Sequence, residues 1–156
     1  MSDHELPRPA RRGPCLDQRS GVVGYVPGVF DMFHVGHLNI LRRASLQCDY
    51  LIAGVVSDEV AFVQKGTHPA VPQDERIDIV ASMRCVDEVV MEWTTDKLVT
   101  WELVRFDVVF KGDDWEGSEK WVRLAREFAA RDVRVEFLPY TAHTSTTSIR
   151  QLLAED

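Results

Sequence analysis

Residues 28–44 read GVFDMFHVGHLNILRRA, and this stretch decides the fold. It opens at the end of a β-rich run over 22–29 and passes through a short loop carrying Asp31. It then enters a pattern whose apolar positions, Leu38, Leu41 and Leu46, have helical spacing. The order predicts a strand, a loop and a helix over 36–47 introduced by His34-Val35-Gly36-His37. The two histidines stand three apart, so at a helix start they face the same side. Gly36 between them has no Cβ and lets a flat ring or a phosphate approach the backbone. The N–H groups of a helix start favour an anion. Two imidazoles there can donate hydrogen bonds to charge developing on a phosphoryl group. A pair of ordinary surface histidines, or a metal site, would use the same residues. No Cys, His or Asp partner stands nearby at ligand spacing, and a position directly after the first strand favours phosphoryl transfer.

Working outward, apolar runs and helical patterns alternate to the end of the chain. The run YLIAGVV (50–56) is followed by Asp58 and a short helical stretch. A helix is predicted over 74–83 with Ile77, Val80 and Ala81 on one face, then a strand over 86–91 and a helix over 96–105. A third pair follows at 108–110 and 119–130, then a strand over 133–138 and a terminal helix over 145–153 opened by hydroxyl caps. Five apolar strands separated by helices imply a parallel sheet covered on both faces. The expected fold is a single Rossmann-like α/β domain over 21–156. Ligands of such sheets bind beyond the carboxyl ends of the strands, here after Val29, Val56, Met91, Phe110 and Leu138.

The length of 156 residues fits one domain with a tail. Residues 1–20 hold three prolines and four arginines with almost no apolar periodicity, which predicts a disordered leader. Eighteen basic against twenty-five acidic side chains give a net charge of −7, which argues against a general nucleic-acid surface but not against a nucleotide site. Cys15, Cys48 and Cys85 are odd in number and widely spaced, as in a reduced cytoplasmic protein. Nothing approaches the ~18 apolar residues of a membrane span, and the N-terminus lacks a signal-peptide core.

Five ordered blocks carry a family resemblance: GVFDMFHVGH (28–37), SDEV…KG…ER (57–76), RCVDEVV (84–90), GDDWEG (112–117) and STTSIR (145–150). Together they resemble the HxGH cytidylyltransferases, particularly the glycerol-3-phosphate enzymes and their choline- and ethanolamine-phosphate relatives. GDDWEG points more to the glycerol-3-phosphate branch. The resemblance implies that His34 and His37 contact the triphosphate of CTP and stabilise the α-phosphorus transition state. Lys65, expected on a loop, is implied as a catalytic cation with a flexible ammonium. Gly28, Val29, Phe30, Asp31, Gly36, Gly112 and Asp113 are implied to bind the nucleotide, with Tyr140. The hydroxyls of Ser145, Thr146 and Thr147 would form a pocket for the β- and γ-phosphates. Arg84 is the candidate grip on the acceptor phosphate, with Asp31 and Arg76 beside it. Asp31 is also a candidate helix-start cap, and Arg76 a structural helix arginine. Relatives build a homodimer interface with the segment matching 84–90. Mg²⁺ is expected to accompany CTP on phosphate oxygens rather than in a dedicated protein cage.

Three positions depart from the family pattern. Tyr140 stands where relatives carry an arginine on the nucleotide phosphates, His143 replaces a glycine, and Val29 replaces a threonine. A tyrosine cannot neutralise a triphosphate, so another cation compensates or the substrate differs. The expected activity is CMP transfer from CTP to a small phosphate or phosphonate acceptor, glycerol 3-phosphate first. Phosphocholine, phosphoethanolamine and hydroxyethylphosphonate stay open as acceptors. An adenylyltransferase of the same superfamily and a nucleotide-binding regulatory protein are the alternatives.

Overall fold

Alternation along each strand builds the molecule. In the computed structural model, which describes residues 21–141 and 144–155, the first strand is β1 (Val23–Gly28) and the second is β2 (Tyr50–Val56). Val26, Leu51, Ala53 and Val55 point to one face of the sheet, and Val23, Tyr25 and Ile52 to the other. Each set nucleates its own core. The first core is closed by α1 (Val35–Ser45) and α3 (Gln73–Ala81), through Leu41, Ala44 and Val80. The second packs against α5 (Glu119–Ala129), through Trp121, Leu124 and Phe128. The remaining elements are α2 (Asp58–Lys65), β3 (Glu88–Glu92), α4 (Lys97–Val104), β4 (Val108–Gly112), β5 (Arg134–Leu138) and α6 (Thr146–Ala154).

All five strands are parallel and lie in the order β3-β2-β1-β4-β5. The chain winds outward from β1 to β3, returns, and winds outward again through β4 and β5. The reversal between β1 and β4 opens a crevice beyond their carboxyl ends, which is where such a fold takes its ligand. No helix among the described residues is long and apolar enough to cross a membrane. The leader over 1–20 and the position of His143 lie outside the described residues.

Local signals set the helix starts. Ser57 caps α2 by accepting from the Val60 amide, Asp96 caps α4 and Ser118 caps α5. α2 runs through Lys65 and ends at Gly66, whose φ of 74° is the left-handed closure that glycine supplies most easily. Lys65 is therefore the last residue of a helix and not a loop residue, because a capped start and a glycine stop bracket the whole segment.

Candidate active site

The cleft above β1 and β4 has a volume of about 730 Å³, within the range that encloses a nucleotide-sized ligand. Gly28, Val29, Phe30, Asp31, His34, Gly36 and His37 form its floor, and Thr144 to Thr147 with Arg150 of α6 form one wall. Lys65, Gly112 and Tyr140 also line it. The loop out of β1 is strained: Phe30 and Met32 have φ of 55° and 46°, on either side of the buried Asp31.

The histidines cap their own helix. The Gly36 amide donates to His34 Nδ1 at 3.0 Å, and the His34 amide donates to His37 Nδ1 at 3.3 Å. His34, not Asp31, is thus the N-cap of α1. Gly36 is required because the flat ring that approaches it is His34's own: a Cβ there would stand 2.8 Å from His34 Cε1. The two imidazoles stack with centroids 3.9 Å apart. Since each Nδ1 accepts a backbone proton, the neutral ring carries its hydrogen on Nε2 and can donate with it. Thr146 Oγ1 lies 3.5 Å from His34 Nε2 and donates to the Asp31 carbonyl.

Both rings are held in that neutral form. Burial lowers the His34 pKa. Burial, then the charges of His34 and Lys65, lower that of His37 to about 3. An unfolded histidine titrates near ~6.5, so between that pH and about 3 the unfolded chain binds the extra proton. Stability from this group is complete above ~6.5 and is lost as pH falls toward 3. The melting temperature of the native chain is accordingly expected to fall more steeply below pH ~6.5 than that of His37→Asn, which keeps an acceptor for the cap but cannot titrate. Parallel curves would show that His37 is not held neutral by its surroundings.

Asp31 is a hub. It is 3% exposed, and its carboxylate accepts from the amides of Met32, Ala70 and Val71 and pairs with Arg150 at 2.7 Å. Burial alone would raise its pKa, but the Ala70 and Val71 amides and Arg150 outweigh it and hold the carboxyl below its usual value. One side chain therefore ties the β1 loop, the segment following α2 and the wall formed by α6 into a single unit. Arg150 also donates to the His68 carbonyl. The sequence reading passed over this arginine, although it lies four residues beyond Thr146 and therefore on the same face of α6.

Four expected site residues are placed elsewhere or given other work. Arg76 is fully buried and donates to the carbonyls of Val29, Val56 and Val71 and to Asp58 Oδ1, all within 2.8 Å. It braces the carboxyl ends of β1 and β2 and is not open to an acceptor. Arg84 precedes β3 and so stands at the amino edge of the sheet, away from the cleft. Asp113 accepts from the Tyr140 amide at 3.0 Å and fixes the chain leaving β5, while its neighbour Asp114 faces the cleft. Ser145 lines the cleft beside Thr146 and Thr147, but its hydroxyl and that of Ser148 form a reciprocal cap on α6. Among the described residues, no group of three or more His, Cys, Asp or Glu side chains is gathered to hold a metal ion.

The family model described as Cytidylyltransferase-like matches residues 25–152. The chain is 34% identical over 131 residues to the glycerol-3-phosphate cytidylyltransferase of Bacillus subtilis, covering 81% of this chain and 93% of that one. It is 42% identical over 113 residues to the ethanolamine-phosphate cytidylyltransferase of Dictyostelium discoideum, covering 66% of this chain and 31% of that protein. It is also 31% identical over 137 residues to the bifunctional protein HldE of Acidiphilium cryptum, covering 86% of this chain and 28% of that one. The chain thus spans less than a third of the length of several relatives it matches. Among solved structures, the lipopolysaccharide core biosynthesis protein of Thermoplasma volcanium shares the fold, with a TM-score of 0.67 at 20% identity, covering 80% of this chain and all of that one.

Proposed function

This chain belongs to the cytidylyltransferase-like family, and from that premise we propose that it transfers CMP from CTP to a small phosphate or phosphonate acceptor. An acceptor oxygen attacks the α-phosphorus in line, the bond to the β-phosphate oxygen breaks, and pyrophosphate leaves with that electron pair. The observation that carries the reading is the pair of neutral imidazoles. Their Nδ1 atoms are spent on the backbone, so their Nε2–H groups are left for the oxygens of a phosphoryl group at the switch point. Donors fixed before the substrate arrives stabilise developing charge without reorganising. Thr146, Thr147 and Arg150 supply the wall for the β- and γ-phosphates. Arg150 is the arginine on that wall, held in place by its pair with Asp31.

Mg²⁺ accompanies the nucleotide. The Asp31 oxygens are already taken by amides and Arg150, so the donor set fits an ion carried on phosphate oxygens. Such an ion would neutralise charge on the departing pyrophosphate. Glycerol 3-phosphate is the first acceptor to test, on the strength of GDDWEG and of the likeness to the Bacillus subtilis enzyme over 93% of its length. Pyrophosphate release measured with CTP and ATP in parallel tests the reading: release with CTP and an acceptor supports it, and release with ATP alone replaces it with adenylyl transfer.

Lys65 extends from the end of α2 into the cleft, where its ammonium can follow charge moving from the α-phosphate to the leaving group. Lys65→Ala is expected to lower kcat by at least about tenfold, the worth of one charged hydrogen bond. Wild-type kinetics would leave it a solvated helix-end lysine. A homodimer through residues 84–90 is part of the proposal. β3 is an edge strand and Arg84 and Asp87 face outward, whereas Val86, Glu88 and Val89 are buried within the chain. Light scattering is expected to give twice the chain mass, and a monomer mass would contradict this contact.

A further inference from the structure

The cleft has a second chemistry at the end bounded by α4, β4 and α5. Three lysines line it: Lys97, Lys111 and Lys120. Glu92 at the end of β3 is the carboxylate buried among them, and both its oxygens are engaged. Lys97 Nζ donates to Oε2 and the buried Tyr25 hydroxyl donates to Oε1, each at 2.5 Å. Lys97 and Glu92 thus form the close ion pair of this end, and Glu92 makes none with the other two lysines. The ion pairs among the described residues are Arg76–Asp58, Lys97–Glu92, Arg134–Glu136 and Arg150–Asp31. Lys111 and Lys120 join none of these.

Lys111 instead lies over aromatic faces, its ammonium 5.0 Å from the Trp115 ring centroid and 5.8 Å from that of Trp121. Burial, then the neighbouring Lys97 charge, lowers its pKa to about 8. Burial and Lys97 lower that of Lys120 as well. Asp114 also faces the cleft, but it makes no ion pair with either lysine among the described residues. Glu92 and Asp114 pull the Lys111 pKa upward but are outweighed by burial and Lys97, and neither carboxylate forms an ion pair with it, so this packed ammonium is short of a close anion.

We infer that this end of the cleft receives a second anionic group of the acceptor, so that the preferred acceptor is a phosphorylated acid, such as a phosphorylated hydroxy-carboxylate. The inference rests on the proposed transfer reaction and names its acceptor class. The nucleotide triphosphate has its own wall at Thr146, Thr147 and Arg150, so the lysine-lined end is left for the acceptor. An acceptor ending in an ammonium, like phosphocholine or phosphoethanolamine, would bring a cation against three lysines. A neutral glycerol end would leave Lys111 and Lys120 without a counter-charge.

Two matched pairs of probes test this by calorimetry on the whole chain. One is 3-phosphoglycerate against glycerol 3-phosphate, and the other 6-phosphogluconate against glucitol 6-phosphate; each pair differs by a carboxylate in place of a CH₂OH. In at least one pair the acid is expected to bind about tenfold or more tightly, the effect of a charged contact. Lys111→Gln and the exposed Lys120→Gln are each expected to shrink that ratio toward one, and Lys120→Gln lies where folding is not at risk. The inference is overturned if the alcohol binds as well as the acid in both pairs, or if the preference survives both substitutions. Pyrophosphate release from CTP is measured on the same samples. A chain that prefers the acids yet releases none with any probe would sink the transfer reaction and leave the anion site standing.

Discussion

Replacing His37 or His34 by alanine is expected to lower kcat for CMP transfer by about 10²–10³-fold, the usual cost of one fixed donor to a charged transition state. The geometry makes a finer prediction than loss alone. In each ring Nδ1 holds the backbone, which leaves Nε2–H as the donor available in the cleft that both residues line. Asparagine places its amide oxygen near the position of Nδ1, and glutamine reaches the position of Nε2. His→Asn should therefore keep the cap and the fold yet be as inactive as alanine, while His→Gln should recover part of the rate. If the asparagine variants turn over normally, the histidines serve only the helix start.

Arg76→Met is expected to destabilise the chain by about 3–5 kcal/mol, the cost of removing one member of a buried charge network. Three carbonyls and Asp58 would lose their donor at once. For a chain of this size that corresponds to a fall in Tm of roughly 6–20 °C. If Arg76 served the acceptor instead, the same substitution would raise the acceptor KM and leave Tm within about 2 °C. Thermal denaturation and acceptor kinetics on one preparation separate the two roles.

These cases show where the sequence was legible. The strand-loop-helix around His34 and His37, the five parallel strands and the position of the cleft all follow from period, cap residues and the rule that ligands sit beyond the carboxyl ends. Applied consistently, that rule also excludes Arg84, which precedes its strand, and points to Lys97 and Lys111, which sit at or beyond the ends of theirs. Other features were legible only in part: the sequence offers Arg76 as a structural helix arginine as well as an acceptor contact, and does not decide between them. Arg76 is charged and lies on a helix of mixed pattern, and its burial depends on carbonyls contributed by residues 29, 56 and 71. The exchange of roles between Asp113 and Asp114 turns on one short 3₁₀ turn over Asp113–Trp115. A family block recorded the importance of these residues without saying whether they touch substrate or hold the frame.

The central claim is that the chain joins CMP to an acceptor phosphate. It is tested most directly by phosphorus NMR of CTP and Mg²⁺ incubated with the protein and either glycerol 3-phosphate or 3-phosphoglycerate. The account predicts that the CTP resonances give way to free pyrophosphate and to the coupled pair of doublets of a new diphosphate ester. CTP left unchanged with both acceptors, or cleaved to CMP with no coupled diphosphate ester formed, would contradict it.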